Sequence, residues 1–241
     1  MSGVNSVIAN MVRKREPGDI CVTGAHGIVE AHDSQSVYSA HKEASLVVPD
    51  GMPLVWIGRL SGRSETDRIY GPDLMLSICR QAEEMNWRVF LYGTTTNTLF
   101  KLTARLKSKF PELAIVGHLA PPFRALTQRE KKDVISKINA AHPDILFIGL
   151  STPKQEQWMH EFSKRMDPMV MIGAGAAFDF IAGTKRQAPQ WIRQSGFEWA
   201  FRLSMEPTRL LKRYAVTNTR FLRYASLYLW RMYTGRKQRF P

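Results

Sequence analysis

The feature that most constrains the fold of this chain is a regular alternation of short apolar runs with longer helix-like stretches. The apolar runs are rich in β-branched and aromatic residues and cover residues 20–23, 46–48, 89–92, 114–116, 145–150 and 170–172. The helix-like stretches between them cover residues 34–44, 72–86, 96–110, 127–141 and 153–165. Strand–helix alternation at this spacing is typical of βαβ units. It predicts an α/β fold with a mainly parallel sheet that carries helices on both faces.

The segment ILFIGLSTPKQEQW, residues 145–158, is the most informative of these alternations. Its apolar run lacks polar alternation, which predicts a strand buried on both faces of the sheet. We expect Thr152 to be the N-cap of the next helix, with Pro153 at the first helical position and Gln155 three residues after the cap. Backbone N–H groups at such a corner bind phosphates in open α/β proteins, and Lys154 adds a positive charge. The alternative interpretation is a well-capped crossover helix without a ligand.

Length and cysteine content place further limits on the class of protein. A chain of 241 residues can bury the core of one large α/β domain, alone or with an appendage. The two cysteines, Cys21 and Cys79, form neither a disulfide framework nor a C-x-x-C pair, which fits a reducing cytoplasm. The first residues lack the apolar core of a signal peptide, and no run of 18 or more apolar residues occurs. We therefore expect a protein that is soluble or peripheral to a membrane.

Positive charge is concentrated at the C-terminal end. The net charge of the chain is +13. From residue 196 onward ten basic residues stand against two acidic ones, a net charge of +8 that leaves +5 for the first 195 residues. The ten are Arg202, Arg209, Lys212, Arg213, Arg220, Arg223, Arg231, Arg236, Lys237 and Arg239. Such an excess predicts an anionic partner, either nucleic acid or a phospholipid surface.

The basic region also carries an amphipathic, aromatic segment, FLRYASLYLWRMY, at residues 221–233. Leu222, Ala225, Leu229 and Met232 fall near one face, a pattern typical of interfacial membrane helices. The alternative is an ordinary helix that packs on the body or on another subunit. A nucleic-acid surface is less favoured, because no zinc-finger, helix-turn-helix or RRM pattern accompanies the charge. We predict a Rossmann-like α/β domain over residues 1–190 and a basic, aromatic helical appendage over residues 191–241.

Three further clusters contain side chains suited to chemistry. In VVPDGMP a strand ends before an Asp-Gly turn, which places Asp50 at the carboxyl edge of the sheet. Asp50 is there either as a general base or as a common turn residue. In RIYGPDLM, Arg68 precedes a helix and is suited to a phosphate or carboxylate. In IGAGAAFDFIAG, Gly175 allows close backbone approach to a ligand, and Asp179 is either a ligand contact or a helix-start residue.

Several motifs are absent from the sequence. It has no full G-x-G-x-x-G fingerprint, Walker loop or G-x-S-x-G elbow. No D-x-D clamp and no H-x-x-x-H or H-x-x-E-H spacing occurs either. We therefore expect no catalytic metal and no cofactor.

Five motifs in this order together resemble one known family. They are PDGMPLVW, R-x-YGPDLM, GLSTPKQEQW, GAGAAFDFIAG and APQWIRQSGFEWAFRL-x-x-EPTRLLKR, and the resemblance covers about residues 20–214. The sequence closely resembles the WecG/TagA/CpsF glycosyltransferase family. The resemblance implies an inverting enzyme that moves a sugar from a UDP-sugar donor to a polyprenyl-diphosphate-linked acceptor in surface polysaccharide assembly. It also implies a Rossmann-like α/β fold with a C-terminal appendage that brings the enzyme to the membrane.

The resemblance also implies roles for individual residues. Asp50 corresponds to the proposed catalytic base, and Thr23 lines the same pocket. Arg68 and Gln155 correspond to residues implicated in substrate binding. Three further residues correspond to basic residues of the family's appendage that are thought to approach the diphosphate: Arg202, Arg209 and Lys212. A lysine at 212, where an arginine is usual, keeps the charge but loses the bidentate fork.

Two departures from the family pattern touch the substrate region. Ala25 stands where many members have asparagine, and Gln187 stands where the family has an arginine. The donor sugar therefore stays open, and the TGAHGIVEA form looks nearer to exopolysaccharide-type members.

The partners and location expected from these observations are a UDP-sugar, a polyprenyl-diphosphate-linked acceptor and the anionic inner face of the cell membrane, with no nucleic acid. The resemblance is also compatible with a homo-oligomer. The alternatives that stay open are a non-catalytic nucleotide-binding α/β protein and a basic nucleic-acid-binding protein.

Overall fold

A computed structural model of the chain describes residues 1–235. Its strands are β1 (Gly18–Thr23), β2 (Leu46–Pro49), β3 (Arg88–Gly93), β4 (Ala114–Leu119), β5 (Ile145–Gly149) and β6 (Val170–Gly173). They form one sheet in the order β2-β1-β6-β5-β3-β4, and every pairing is parallel. This sheet confirms the predicted Rossmann-like α/β class. Three basic residues of the predicted tail, Arg236, Lys237 and Arg239, lie outside the described residues.

Helices connect the strands and continue after the last one. They are α1 (Ser2–Lys14), α2 (Ala25–Asp33), α3 (Gln35–Glu43), α4 (Met52–Leu60), α5 (Gly71–Glu84), α6 (Thr96–Lys109), α7 (Gln128–Ala140), α8 (Lys154–Phe162), α9 (Ala177–Ala182), α10 (Gln190–Gln194), α11 (Glu198–Met205) and α12 (Pro207–Tyr233). The five predicted helix-like stretches correspond to α3, α5, α6, α7 and α8. The predicted domain boundary after residue 190 falls at the start of α10.

The core lies on both faces of the sheet, and β5 shows why. Ile145 and Phe147 pack into a cluster on one face, whereas Leu146 and Ile148 pack into a second cluster on the other. All four side chains are fully buried. Burying each such side chain contributes about 1.5–3 kcal/mol, so both helix layers are held to this strand. The prediction of a strand buried on both faces is confirmed.

The corner that follows β5 differs from the sequence expectation. Helix α8 begins at Lys154, its N-cap is Pro153, and no side chain caps it. The prediction that Thr152 is the N-cap, with Pro153 inside the helix, is therefore wrong. The reason is that the Thr152 hydroxyl donates to Oε1 of the buried Glu156 at 2.8 Å instead of accepting from the helix backbone. The chain reaches this corner through Ser151, whose φ of 67° lies in the left-handed region.

The long helix α12 lies against α2 and α4. Leu210 and Phe221 of α12 are buried, and Arg220 forms an ion pair with Asp33 of α2. The Tyr224 ring stacks on His32, with 3.8 Å between the ring centroids. One face of α12 thus packs on the α/β domain, as expected if residues 221–233 belong to an ordinary helix that packs on the body.

The remaining surface of α12 is partly apolar. Leu222 is 64% exposed, and Met232 is 37% exposed. No helix within residues 1–235 combines the length and apolar character needed to cross a bilayer.

Candidate active site

A cleft of about 260 Å³ opens at the carboxyl edge of the sheet. Its floor is formed by the segments that follow four strands, at residues 24–27, 50–53, 151–152 and 173–177. The opposite wall comes from the C-terminal helices, through Glu198, Arg202 and Arg213. The cleft therefore requires both the sheet and the C-terminal helices.

Asp50 stands at the first turn after β2. Its backbone N–H donates to the carbonyl oxygen of Thr23 at 2.9 Å, which ties this turn to the end of β1. The Gly71 N–H donates to Oδ1 at 3.2 Å, and 37% of the Asp50 side chain stays exposed to the cleft. Desolvation by the surrounding cleft walls raises the pKa of Asp50 to about 6, although the charge of Arg68 opposes the rise. A carboxylate with a pKa near neutrality can accept a proton from a substrate hydroxyl.

Arg68 is fixed by partners on three sides. Its Nε donates to the backbone carbonyl of Asp50, and one terminal nitrogen donates to the carbonyl of Arg193 at 2.7 Å. The other terminal nitrogen donates to Oε2 of Glu198 at 2.6 Å. The guanidinium also lies 4.4 Å from the centroid of the Tyr70 ring, a cation–π contact. Only 16% of the side chain is exposed, so Arg68 joins the base-bearing turn to the C-terminal helices.

The cleft wall near α2 is suited to an anion. Helix α2 begins at the cleft, and its N-cap Gly24 offers no side chain to satisfy the first backbone N–H groups. Arg213 of α12 faces this end, and its Nε is buried without a partner among the described residues. Burial and the Arg213 charge lower the pKa of His26, which favours a neutral imidazole there. Four arginines and two acids line the cleft, a cationic balance suited to a diphosphate.

Gln155 forms part of the cleft floor beneath two glycines. Its side chain is 2% exposed, and Nε2 donates to Oε1 of Glu156 at 3.0 Å. A Cβ at Gly173 would lie 3.0 Å from that Nε2, and one at Gly175 would lie 3.4 Å from Oε1. The Gln155 amide therefore occupies the space that a side chain at Gly173 would need, whereas a Cβ at Gly175 would make only an ordinary contact. Gly175 lines the cleft, and the ligand approach predicted there stays a prediction.

The structure brings six of the predicted site residues to the cleft. They are Asp50, Arg68, Thr152, Gln155, Gly175 and Arg202. Thr23 lies beneath the floor: it is 1% exposed, and its hydroxyl is 2.9 Å from Nε2 of His41. Thr23 thus supports the cleft from below.

Four other predicted site residues lie outside the cleft lining. Lys154 and Lys212 are exposed. Asp179, in the first turn of α9, accepts from the Thr184 hydroxyl at 3.0 Å. Arg209 forms an ion pair with Glu206. Asp179 thus lies at a helix start, and its role as a ligand contact stays a prediction.

Some cleft residues were not assigned from the sequence. Three of them lie inside the quoted motifs: Tyr70, Arg193 and Glu198. Nothing in the sequence around them indicated that their side chains would line the cleft. Arg213 could have been found from helix geometry, because it follows the buried Leu210 by three residues and precedes the buried Thr217 by four. That spacing places Arg213, and not Lys212, on the inward face.

The fold and the cleft define an α/β protein whose candidate ligand site lies at the carboxyl edge of a parallel sheet. Residues 1–235 match the WecG/TagA/CpsF family of glycosyl transferases. The chain therefore belongs to the WecG/TagA/CpsF glycosyl transferase family.

Curated relatives carry a more specific name. A protein of Bacillus spizizenii strain W23, named N-acetylglucosaminyldiphosphoundecaprenol N-acetyl-beta-D-mannosaminyltransferase, is 29% identical over 180 residues, which cover 75% of this chain and 68% of the relative. Proteins of the same name from Bacillus subtilis strain 168 and Staphylococcus aureus strain MW2 are 29% and 28% identical. Those matches cover 69% and 70% of this chain, and 63% and 64% of the relatives. The matched part thus spans about two thirds of the relatives' length.

Proposed function

We propose that this protein is an inverting glycosyltransferase that moves a sugar from a UDP-sugar to a polyprenyl-diphosphate-linked acceptor in surface or exopolysaccharide biosynthesis. The single observation that carries the proposal is the Asp50 carboxylate, held at the carboxyl edge of the sheet inside a cationic cleft. Family membership supports glycosyl transfer as the reaction class.

Asp50 is proposed as the general base. The Gly71 N–H fixes one carboxylate oxygen, and the side chain is open to the cleft. It would remove the proton of the acceptor hydroxyl while that oxygen attacks the anomeric carbon from the face opposite UDP. General-base assistance of this kind contributes about 10²–10⁴-fold to the rate.

The leaving UDP diphosphate is proposed to lie between the start of α2 and the C-terminal helices. Uncapped backbone N–H groups of α2 and the side chains of Arg202 and Arg213 line this part of the cleft. Fixed donors of this kind stabilise developing negative charge without reorganisation. The proposed mechanism needs no metal ion, and we expect transfer to continue in excess EDTA.

The names of the relatives support a lipid-linked acceptor. They specify N-acetylglucosaminyl-diphosphoundecaprenol as the substrate that receives N-acetylmannosamine. We propose an acceptor of the same chemistry here, with the enzyme peripheral on the inner face of the cell membrane. The donor sugar stays open, because Ala25 lines the cleft where many members have asparagine.

The test is the Asp50→Asn variant. Asparagine keeps an acceptor for the Gly71 N–H but cannot take a proton, so we expect transfer from the UDP-sugar to a short-chain lipid diphosphate to fall at least about 100-fold. UDP should still raise the unfolding temperature of the variant as it does for the wild type.

The wild-type pH profile provides a second check. Because the base must be ionised, the rate should rise with pH through about 6, the raised pKa of Asp50. If the protein only bound a nucleotide and catalysed no transfer, no product would form that depends on the UDP-sugar. Unchanged transfer by Asp50→Asn would contradict the proposal.

A further inference from the structure

The guanidinium of Arg68 lies between two carboxylates that compete for it. One of its terminal nitrogens is 2.6 Å from Oε2 of Glu198 and 3.9 Å from Oδ1 of Asp50. A charge-assisted hydrogen bond needs about 2.7–2.9 Å, so Glu198 holds this bond and Asp50 does not. The catalytic carboxylate thus has a cation beside it but is not directly bonded to it.

Glu198 is itself held by several groups. Its side chain is 13% exposed, and the Tyr70 hydroxyl donates to its second oxygen at 3.3 Å. Gln187, the residue that replaces the family's arginine, donates to the Tyr70 hydroxyl at 3.0 Å. Every nitrogen of Arg68 also has a protein partner. A buried network of this kind fixes the guanidinium in one position, since breaking any contact leaves a buried polar group unpaired.

We propose that Glu198 is a positioning residue that draws the Arg68 guanidinium away from the Asp50 carboxylate and so keeps that carboxylate free to accept a proton. The inference rests on the proposed function, because it assigns a role to the same site. Asp50 and Glu198 are the two carboxylates within 4 Å of Arg68 among the described residues. Without the Glu198 charge, Arg68 would pair with Asp50 and make it a weaker base.

The charges around Asp50 support this role. Titratable or charged side chains line the cleft from every element near Asp50: His26 of α2, Arg68 and Tyr70 before α5, Arg193 of α10, Glu198 and Arg202 of α11, and Arg213 and Tyr214 of α12. Arg68 and Arg202 lower the pKa of Asp50, whereas Glu198 raises it. Removing the negative charge of Glu198 therefore shifts the balance toward a lower pKa.

The experiment compares wild type with Glu198→Gln, which keeps the shape of the side chain. A ¹³C NMR titration should show the Asp50 pKa falling by about one unit, as expected when a cation approaches a carboxylate. In the transfer assay the acid limb of the pH–rate profile should move to lower pH by the same amount. We expect kcat at neutral pH to fall about threefold, because a base with a pKa one unit lower assists less at a Brønsted slope near one half, with the KM for the UDP-sugar within about twofold.

Two further variants complete the test. Glu206→Gln removes an acid of the same C-terminal region that is ion-paired with Lys185 and Arg209 outside the cleft, and it should leave the Asp50 pKa unchanged. Arg68→Gln should raise the Asp50 pKa, because it removes the cation beside that carboxylate. If Glu198→Gln does not fold, this variant tests whether the Arg68 charge acts on Asp50. An unchanged pKa in Glu198→Gln or in Arg68→Gln, or an equal shift in Glu206→Gln, would overturn the inference. The titration needs no activity, so absent transfer by the wild type would contradict only the proposed function.

Discussion

At the scale of single residues, the sequence indicates which strand end a side chain follows but not which way the side chain points. Asp50 could be placed at the carboxyl edge because it follows β2 directly. Thr23, the last residue of β1, is also at that edge, yet its hydroxyl turns beneath the floor toward His41. The two outcomes differ because α3 packs against α2 and brings His41 within 2.9 Å of the Thr23 hydroxyl, a contact that the strand pattern alone does not predict.

Lys212 and Arg213 are neighbours on α12 whose side chains point in different directions, so they give a matched pair of variants. Arg213 lines the cleft whereas Lys212 is exposed. We expect Arg213→Gln to raise the KM for the UDP-sugar about tenfold or more, because one charge-assisted hydrogen bond to a phosphate is lost. Lys212→Gln removes the same charge from the neighbouring residue and should change KM less than about twofold. Steady-state kinetics at fixed ionic strength measures both, and a larger effect at Lys212 would contradict the assignment.

At the scale of elements, the alternating apolar runs were enough to predict all six strands and their parallel arrangement. Each run is short and apolar, as a strand buried between two helix layers must be. Helix α4, MPLVWIGRL, was not predicted, because its apolar residues are nearly continuous and show no helical period. The start of α8 was misplaced, because the Thr152 hydroxyl finds its partner in Glu156 and not in the helix backbone.

The junction of β3 and β5 allows a stability prediction. Gly93 has φ of 128°, and a Cβ there would lie 2.6 Å from the carbonyl carbon of Gly149. We expect Gly93→Ala to destabilise the protein by about 2–4 kcal/mol, because backbone strain and a backbone clash add. Gly62→Ala is the control: φ is 82° and nothing lies within 4 Å, so the cost should be about 1 kcal/mol. Urea unfolding measures both, and equal midpoints would argue against the clash.

At the scale of the whole molecule, the C-terminal helices were predicted as a basic appendage, and the structure adds what they contact. Helix α11 contributes Glu198 and Arg202 to the cleft, and α12 packs on α2 and α4. The count of charged residues revealed the excess of positive charge in these helices but not where the helices pack. The contacts between α12 and α2 join residues nearly 200 positions apart, such as Asp33 and Tyr224.

Membrane association is the prediction for the molecule as a whole. Leu222 on α12 is 64% exposed, and insertion of such a side chain into lipid contributes about 1.5–3 kcal/mol. We expect Leu222→Asp to weaken flotation with anionic vesicles about tenfold or more. Phe100→Asp on α6, where the side chain is 71% exposed, should leave flotation unchanged. Equal losses in the two variants, or stronger retention on DNA than on vesicles at matched salt, would count against the membrane proposal.

Both cysteines of the chain, Cys21 and Cys79, are buried, and burial raises the pKa of each thiol. Neither is therefore a ready target for maleimide labelling. A single cysteine engineered at Glu16 would sit just ahead of β1, at the opposite edge of the sheet from the cleft. A fluorophore attached there would label the molecule and leave the cleft unobstructed. Attachment to a solid support through the same residue would orient the molecule and also leave the cleft open.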